Sequence, residues 1–124
     1  MVEIWSSSLS ARTLKTVSLK EGMPLVHQAL SKLNHELRVA RDEGFMLIKL
    51  IHGYGSSGVG GDIRIAVQSR LQEMLQGGQI SACIYGEDWS KGDEQTWRLL
   101  SARPELKNDC DLGRHNRGIT IVVL

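Results

Sequence analysis

Apolar residues along this chain fall into short solid runs and longer stripes spaced by three and four, and the two patterns alternate. Thr16-Val17-Ser18-Leu19 reads as a short first strand, broken by Glu21-Gly22-Met23-Pro24. Val26, Leu30, Leu33, Leu37 and Ala40 make the first stripe, one face of a helix running from about Pro24 to about Asp42. Pro24 suits a first turn because the N–H it lacks would have no partner there. Gly44 ends the helix. Phe45-Met46-Leu47-Ile48-Lys49-Leu50-Ile51 is nearly all apolar, as a strand covered on both faces should be. Ile63, Ala66, Val67, Leu71, Met74 and Leu75 predict a second helix, with Asp62 as its N-cap and Gly77-Gly78 as its stop. Ile80 to Tyr85 and Ile119 to Leu124 read as two further strands. Between them lies a polar stretch in which Ser90 or Asp93 caps a short helix through Leu99 and Leu100, ending before Pro104.

The expected fold is α/β: a two-layer sandwich in the order β-α-β-α-β-(insertion)-β, a mixed sheet with two main helices packed on it. Residues 1–14 read as a flexible N-terminal segment and 15–124 as one domain, with the insertion at about 86–115. A chain of 124 residues, 41% hydrophobic, suffices for one core.

Overall charge barely departs from balance, with 15 Lys and Arg against 14 Asp and Glu, and so does not by itself announce a nucleic-acid partner. Its distribution is uneven. Arg12 to Leu75 holds nine basic and six acidic residues, whereas Glu87 to Asp111 holds four and seven. Such polarity can steer an anion toward one end, or simply solvate a surface. Met1 to Ser10 shows no basic segment leading into an apolar one, and no run approaches the roughly 20 residues of a membrane span, so neither a secretory signal nor a membrane partner is expected. Cys83 and Cys110 do not make a disulfide framework, which points to reduced thiols and a cytoplasmic setting.

The segment that folding alone explains least is His52-Gly53-Tyr54-Gly55-Ser56-Ser57-Gly58-Val59-Gly60-Gly61, between the apolar strand and the second helix. A tight turn needs one or two glycines for positive φ, and further ones weaken the chain unless something must approach the backbone. Bare N–H groups and the positive end of a helix dipole make a ready phosphate site. Gly53-Tyr54-Gly55-Ser56-Ser57-Gly58 also matches G-x-G-x-x-G, a nucleotide-binding alternative whose acidic ribose partner would be Glu87 or Asp88. The Walker pattern fails, since Gly60-Gly61-Asp62 stands where Gly-Lys-Ser is required.

Leu50-Ile51-His52-Gly53-Tyr54-Gly55, followed by Gly60-Gly61-Asp62-Ile63-Arg64 with Ala66-Val67 and Leu71, resembles the core of the Smr (small MutS-related) domain. Its hallmark is a strand ending in H-G-x-G, a glycine-rich turn, and a helix opening with an aliphatic residue and Arg. Asn116-Arg117-Gly118 and the final apolar run are similar to the family's closing glycine and strand. The resemblance spans roughly Thr16 to Leu124. It implies a nucleic-acid-binding domain, on DNA or RNA, often with DNA-nicking or RNA-cleaving endonuclease activity. In the family's first-strand motif L-D-x-H-G the Asp and His are tied to cleavage. Here Ser18 stands for the acid, Lys20 for the histidine, and one residue is inserted before Gly22. A non-catalytic binding module therefore stands beside the endonuclease as a second reading.

The candidate catalytic residue is His52, acting on a phosphodiester; its plainer role is to bond a backbone carbonyl at the strand end. Candidate phosphate contacts are Lys20, Gly53, Tyr54, Gly55, Ser56, Ser57, Gly58, Gly60, Gly61, Arg64, Arg114, Asn116 and Arg117, with His115 beside them. Tyr54 would stack on a base or, as its plainer role, pack over the loop glycines. Arg64 and the turn Arg114 to Arg117 could equally be solvated surface. No cofactor is assigned. A divalent metal at Glu87, Asp88 and Asp93 would suit a nuclease, against the plain reading of an acidic loop. His27, His35, Cys83 and Cys110 lack zinc-ligand spacing. Trp89 and Trp97 are expected to fold the insertion onto the body.

Overall fold

A computed structural model describes residues 12–54 and 59–124. In chain order the elements are β1 (Arg12–Ser18), α1 (Val26–Asp42), β2 (Phe45–Ile51), α2 (Val59–Gln76), β3 (Ala82–Tyr85), α3 (Glu94–Ala102) and β4 (Ile119–Val123), with 3-10 turns at Gly86–Asp88 and Pro104–Asn108. The strands make one mixed sheet in the order β1-β2-β4-β3. β1 and β2 run parallel, and β4 pairs antiparallel with both β2 and β3. The expected α/β sandwich with a mixed sheet is the observed one.

The solid apolar runs became the two central strands. Side chains alternate across a strand, and here both faces are covered. Ile48, Leu50 and Val122 meet Ala29, Leu33, Leu37 and Ala40 of α1 and Ile63, Val67 and Leu71 of α2. Leu47, Ile84, Ile119 and Ile121 face the other way, against Trp89, Leu100 and Leu106. The insertion is therefore a lid over the sheet's second face. Trp89 folds it onto the body as expected, while Trp97 does not and stands 55% exposed.

Most boundaries follow the local signals. Gly44 leaves α1 at φ +83°, the left-handed conformation that favours glycine at a helix end. Asp93 caps α3 by accepting from the Thr96 amide at 3.0 Å, and the helix stops before Pro104. Three expectations move. α1 starts at Val26 with Leu25 at its N-cap, so Pro24 precedes the helix instead of opening its first turn. β1 starts at Arg12, inside the segment expected to be flexible, because its pairing with β2 begins at Arg12↔Phe45; residues 1–11 lie outside the described ones. α2 starts at Val59, so Asp62 sits in the first turn rather than at the N-cap. A carboxylate there is still favoured by the helix dipole, which explains why the residue type misled about the boundary. Among the described residues no helix is long and apolar enough to cross a membrane.

Lys49, the one charged residue in β2, points into the insertion's face and is 3% exposed. Its Nζ lies 2.7 Å from Asp109 Oδ1 and 2.6 Å from Asp111 Oδ2. Asp109 also accepts from Trp89 Nε1 at 2.9 Å and from the Asp111 amide at 3.1 Å. Burial works against the ammonium, but the bonds to Asp109 and Asp111 outweigh it and hold the Lys49 pKa above its ordinary value. This network fastens the insertion to the sheet.

Candidate nucleic-acid interface

Because β1, β2 and β3 point the same way, their C-terminal ends emerge together with the start of β4. That end gathers Lys20, His52 to Tyr54, Glu87 and Asn116 to Gly118, and the first turn of α2 opens beside it. The His52 and Gly53 amides both donate to Gly118 O at 3.0 Å. A Cβ on Gly118 would sit 3.5 Å from Gly53 Cα and 3.1 Å from Asn116 Oδ1, so this glycine lets the two turns close on each other. Gly53 has φ +80°, and a Cβ there would meet Lys20 Cδ at 3.2 Å. The Lys20 stem thus lies against Gly53 while the residue remains exposed.

His52 is fully buried. Its Nδ1 lies 2.8 Å from Gly53 O and its Nε2 lies 2.8 Å from Thr120 Oγ1. A carbonyl can only accept, so Nδ1 carries the proton and Nε2 accepts from the Thr120 hydroxyl. Burial, with a smaller push from the Arg64 charge, lowers the pKa, and the ring is neutral near pH 7. Its basic lone pair is already in use. The carbonyl-bonding role weighed for this histidine is what the structure displays, and general acid–base work would require the Thr120 bond to break and the ring to become accessible.

The cationic side chains surround Tyr54 instead. Arg64 Cζ and Arg117 Cζ each lie 5.5 Å from the centre of its ring. Arg117 Nη1 donates to the phenol oxygen at 2.8 Å. Tyr54 is 50% exposed; Gly55 and Gly58, over which it was expected to pack as its plainer role, lie outside the described residues. Arg64 holds Gln68 Oε1 only weakly, at 3.4 Å, and its buried Nε has no partner among the described residues. The first turn of α2 opens on the same end, where the leading amides of a helix have no intrahelical partner. One carboxylate intrudes: Glu87 Oε1 is buried and also lacks a partner among the described residues.

Other expected contacts sort differently. Gly55, Ser56, Ser57 and Gly58 lie outside the described residues. Gly60 and Gly61 belong to the first turn of α2, not to the loop. The Gly53 amide is taken by Gly118 O and offers nothing to an anion. Asn116 is likewise committed, donating from Nδ2 to Asp111 Oδ1 at 3.0 Å and accepting the Gly118 amide at 2.8 Å. Arg114 is exposed, and His115 Nδ1 donates to Glu87 O at 3.2 Å. Tyr54, His115, Asn116 and Arg117 line an open depression of about 380 Å³.

The acidic residues proposed for a metal do not assemble. Asp93 caps α3, and among the described residues no group of three His, Cys, Asp or Glu could hold an ion. For the nucleotide reading, β4 stands between β2 and β3, the strand that leads to Glu87 and Asp88, and Gly55 to Gly58 of its glycine pattern lie outside the described residues. The sequence reading missed Thr120 and Lys49. Each is the polar exception in an otherwise apolar central strand, and that was the available signal.

Comparison of the chain with family models, curated proteins and solved structures finds no match.

Proposed function

We propose that this chain is an Smr-like domain that holds nucleic acid by its phosphates and does not cut it. The observation carrying the reading is the cationic cluster around Tyr54: the Arg64 and Arg117 guanidinium groups each lie 5.5 Å from its ring centre, and exposed Lys20 lies against the neighbouring Gly53. Guanidinium groups pair strongly with phosphate oxygens, and an arriving phosphate gives this cluster its charged acceptor. Lys20 and Arg117 add positive charge along the same end, and the α2 dipole favours an anion there. Phosphate contacts position a strand without reading its sequence.

Two features favour binding over cleavage. His52 is buried with both ring nitrogens engaged. The positions that resemble the family's Asp and His hold Ser18 and Lys20.

Fluorescence anisotropy with labelled DNA and RNA across a salt series tests the reading. Binding should weaken steeply with salt, and Lys20→Ala, Arg64→Ala and Arg117→Ala should each weaken it and flatten the salt dependence by about one phosphate contact. Supercoiled DNA and structured RNA should stay intact. Strand scission by the wild type that His52→Ala abolishes would establish the endonuclease instead, and salt-insensitive or absent binding would end the phosphate reading.

A further inference from the structure

Phosphate contacts alone would leave the face of Tyr54 without a use. This ring is half exposed, with its phenol oxygen tied to Arg117 and a second guanidinium from Arg64 close to it. It also forms one wall of the depression shared with His115, Asn116 and Arg117, whose volume of about 380 Å³ lies within the range of small-ligand sites. Resting on the phosphate-binding reading above, we infer that this end selects unpaired nucleotides: one base stacks on Tyr54 while its flanking phosphates lie on Lys20, Arg64 and Arg117.

The chemistry is that of single-strand recognition. Every base has a π-face that an aromatic ring can meet, but in a duplex those faces are already covered by neighbouring bases. Guanidinium groups beside the ring serve both partners, since they pair with phosphate and also stack. The bond from Arg117 holds the Tyr54 ring in place, so little side-chain freedom remains to be lost when a base arrives. The wall opposite is polar. His115 uses Nδ1 on Glu87 O, which leaves Nε2 as the ring's remaining hydrogen-bonding atom for a base edge.

Anisotropy titrations with a short single strand, the same strand made abasic, and the corresponding duplex test this inference in the full chain. The base-bearing single strand should bind about tenfold more tightly than either of the others, within the span of stacking on one aromatic residue. Tyr54→Ala should remove that advantage, bringing the single strand to the level of its abasic form, whereas Tyr54→Phe should retain most of it. Thermal melts that match the wild type show that the variants are folded. Equal binding of the base-bearing and abasic strands, or a duplex bound as tightly, overturns the stacking inference while leaving phosphate binding standing. Absence of salt-sensitive binding to all three, or binding of phosphatidylglycerol vesicles in their place, overturns both.

Discussion

Replacing Lys49 by Met removes the ammonium that joins β2 to the insertion while keeping most of its volume. Asp109 and Asp111, whose side chains are 9% and 19% exposed, would each lose a short charged bond. Such bonds contribute about 1.5–3 kcal/mol apiece, so together they set a cost of about 3–6 kcal/mol. Both carboxylates keep other donors, from Trp89 and the Asp111 amide on one side and from Asn116 on the other. That places the expected loss near the lower figure, about 3 kcal/mol, in line with breaking other buried pairs. Against a total of about 5–15 kcal/mol this is a large fraction. With a urea slope of about 1.5 kcal/mol/M, the midpoint followed by far-ultraviolet circular dichroism should fall by about 2 M. Adding Asp109→Asn and Asp111→Asn should restore more than half of the loss, because the stranded charges are then gone. A single variant that loses less than about 1 kcal/mol, or a triple variant no more stable than the single one, would refute the account.

The same network sets a pH window. Burial pushes the Asp111 carboxyl up, but Lys49 and Asn116 outweigh it and hold the carboxyl below its ordinary value. A lowered carboxylate contributes stability above the ordinary range near pH 4 and loses it as pH falls through the folded value. Lys49 is raised, so its contribution is complete below about pH 10 and is lost as pH climbs through the folded value. The gap between wild type and Lys49→Met should therefore be flat from about pH 5 to 9 and narrow at both extremes.

Thr120→Val leaves the buried His52 Nε2 without its donor and should cost about 1–3 kcal/mol in chemical melts. Because His52 is held below its ordinary value near 6.5, the unfolded chain takes the proton first, and wild-type stability should decline as pH falls below about 6.5. Gly86→Ala should cost about 3 kcal/mol or more, since its Cβ would lie 1.7 Å from Asn116 O, a backbone atom that cannot step aside. Asp62→Asn, which removes a carboxylate from the first turn of α2, should tighten oligonucleotide binding by a few-fold at low salt, as anisotropy would record.

What the sequence disclosed was local. The stripe from Val26 to Ala40 and the run from Phe45 to Ile51 carry their own periodicity, and Asp93 and Pro104 bracket α3 because caps and breakers act within a turn. The opening of α2 was misplaced since Asp62 satisfies a first-turn position as well as a cap. At the site, Lys20, Tyr54, Arg64 and Arg117 were recognisable as chemistry, and the parallel strands brought them to one end. Asn116 gave no sign of its bond to Asp111, only five residues away, because it lies within a turn that carries no regular periodicity. The state of His52 could not be read, because its partner Thr120 is 68 residues away and pairing across the sheet is a property of the assembled fold. The insertion's role was hidden for the same reason. Only the register of Lys49 on the far face of β2 reveals what Asp109 and Asp111 are for.

Those two facts meet in one chain of bonds. Lys49 holds Asp111, Asp111 holds the Asn116 amide, Asn116 receives the Gly118 N–H, and Gly118 O receives the amides of His52 and Gly53. The route runs from the lid on one face of the sheet to the residue before Tyr54. Every link is a short hydrogen bond among buried or half-buried groups, where a lost partner is not replaced cheaply by water. The lid and the segment from His52 to Gly53 are thus joined by one continuous set of bonds, which ties the insertion to the end of the sheet that carries Tyr54. Asn116→Ala cuts the chain at its narrowest point while leaving Lys20, Arg64 and Arg117 in place. It should therefore weaken single-strand binding by more than its modest loss of global stability accounts for, measured well below the melting temperature. Equal affinity in that variant would show that Gly53 and Tyr54 are held by the sheet alone.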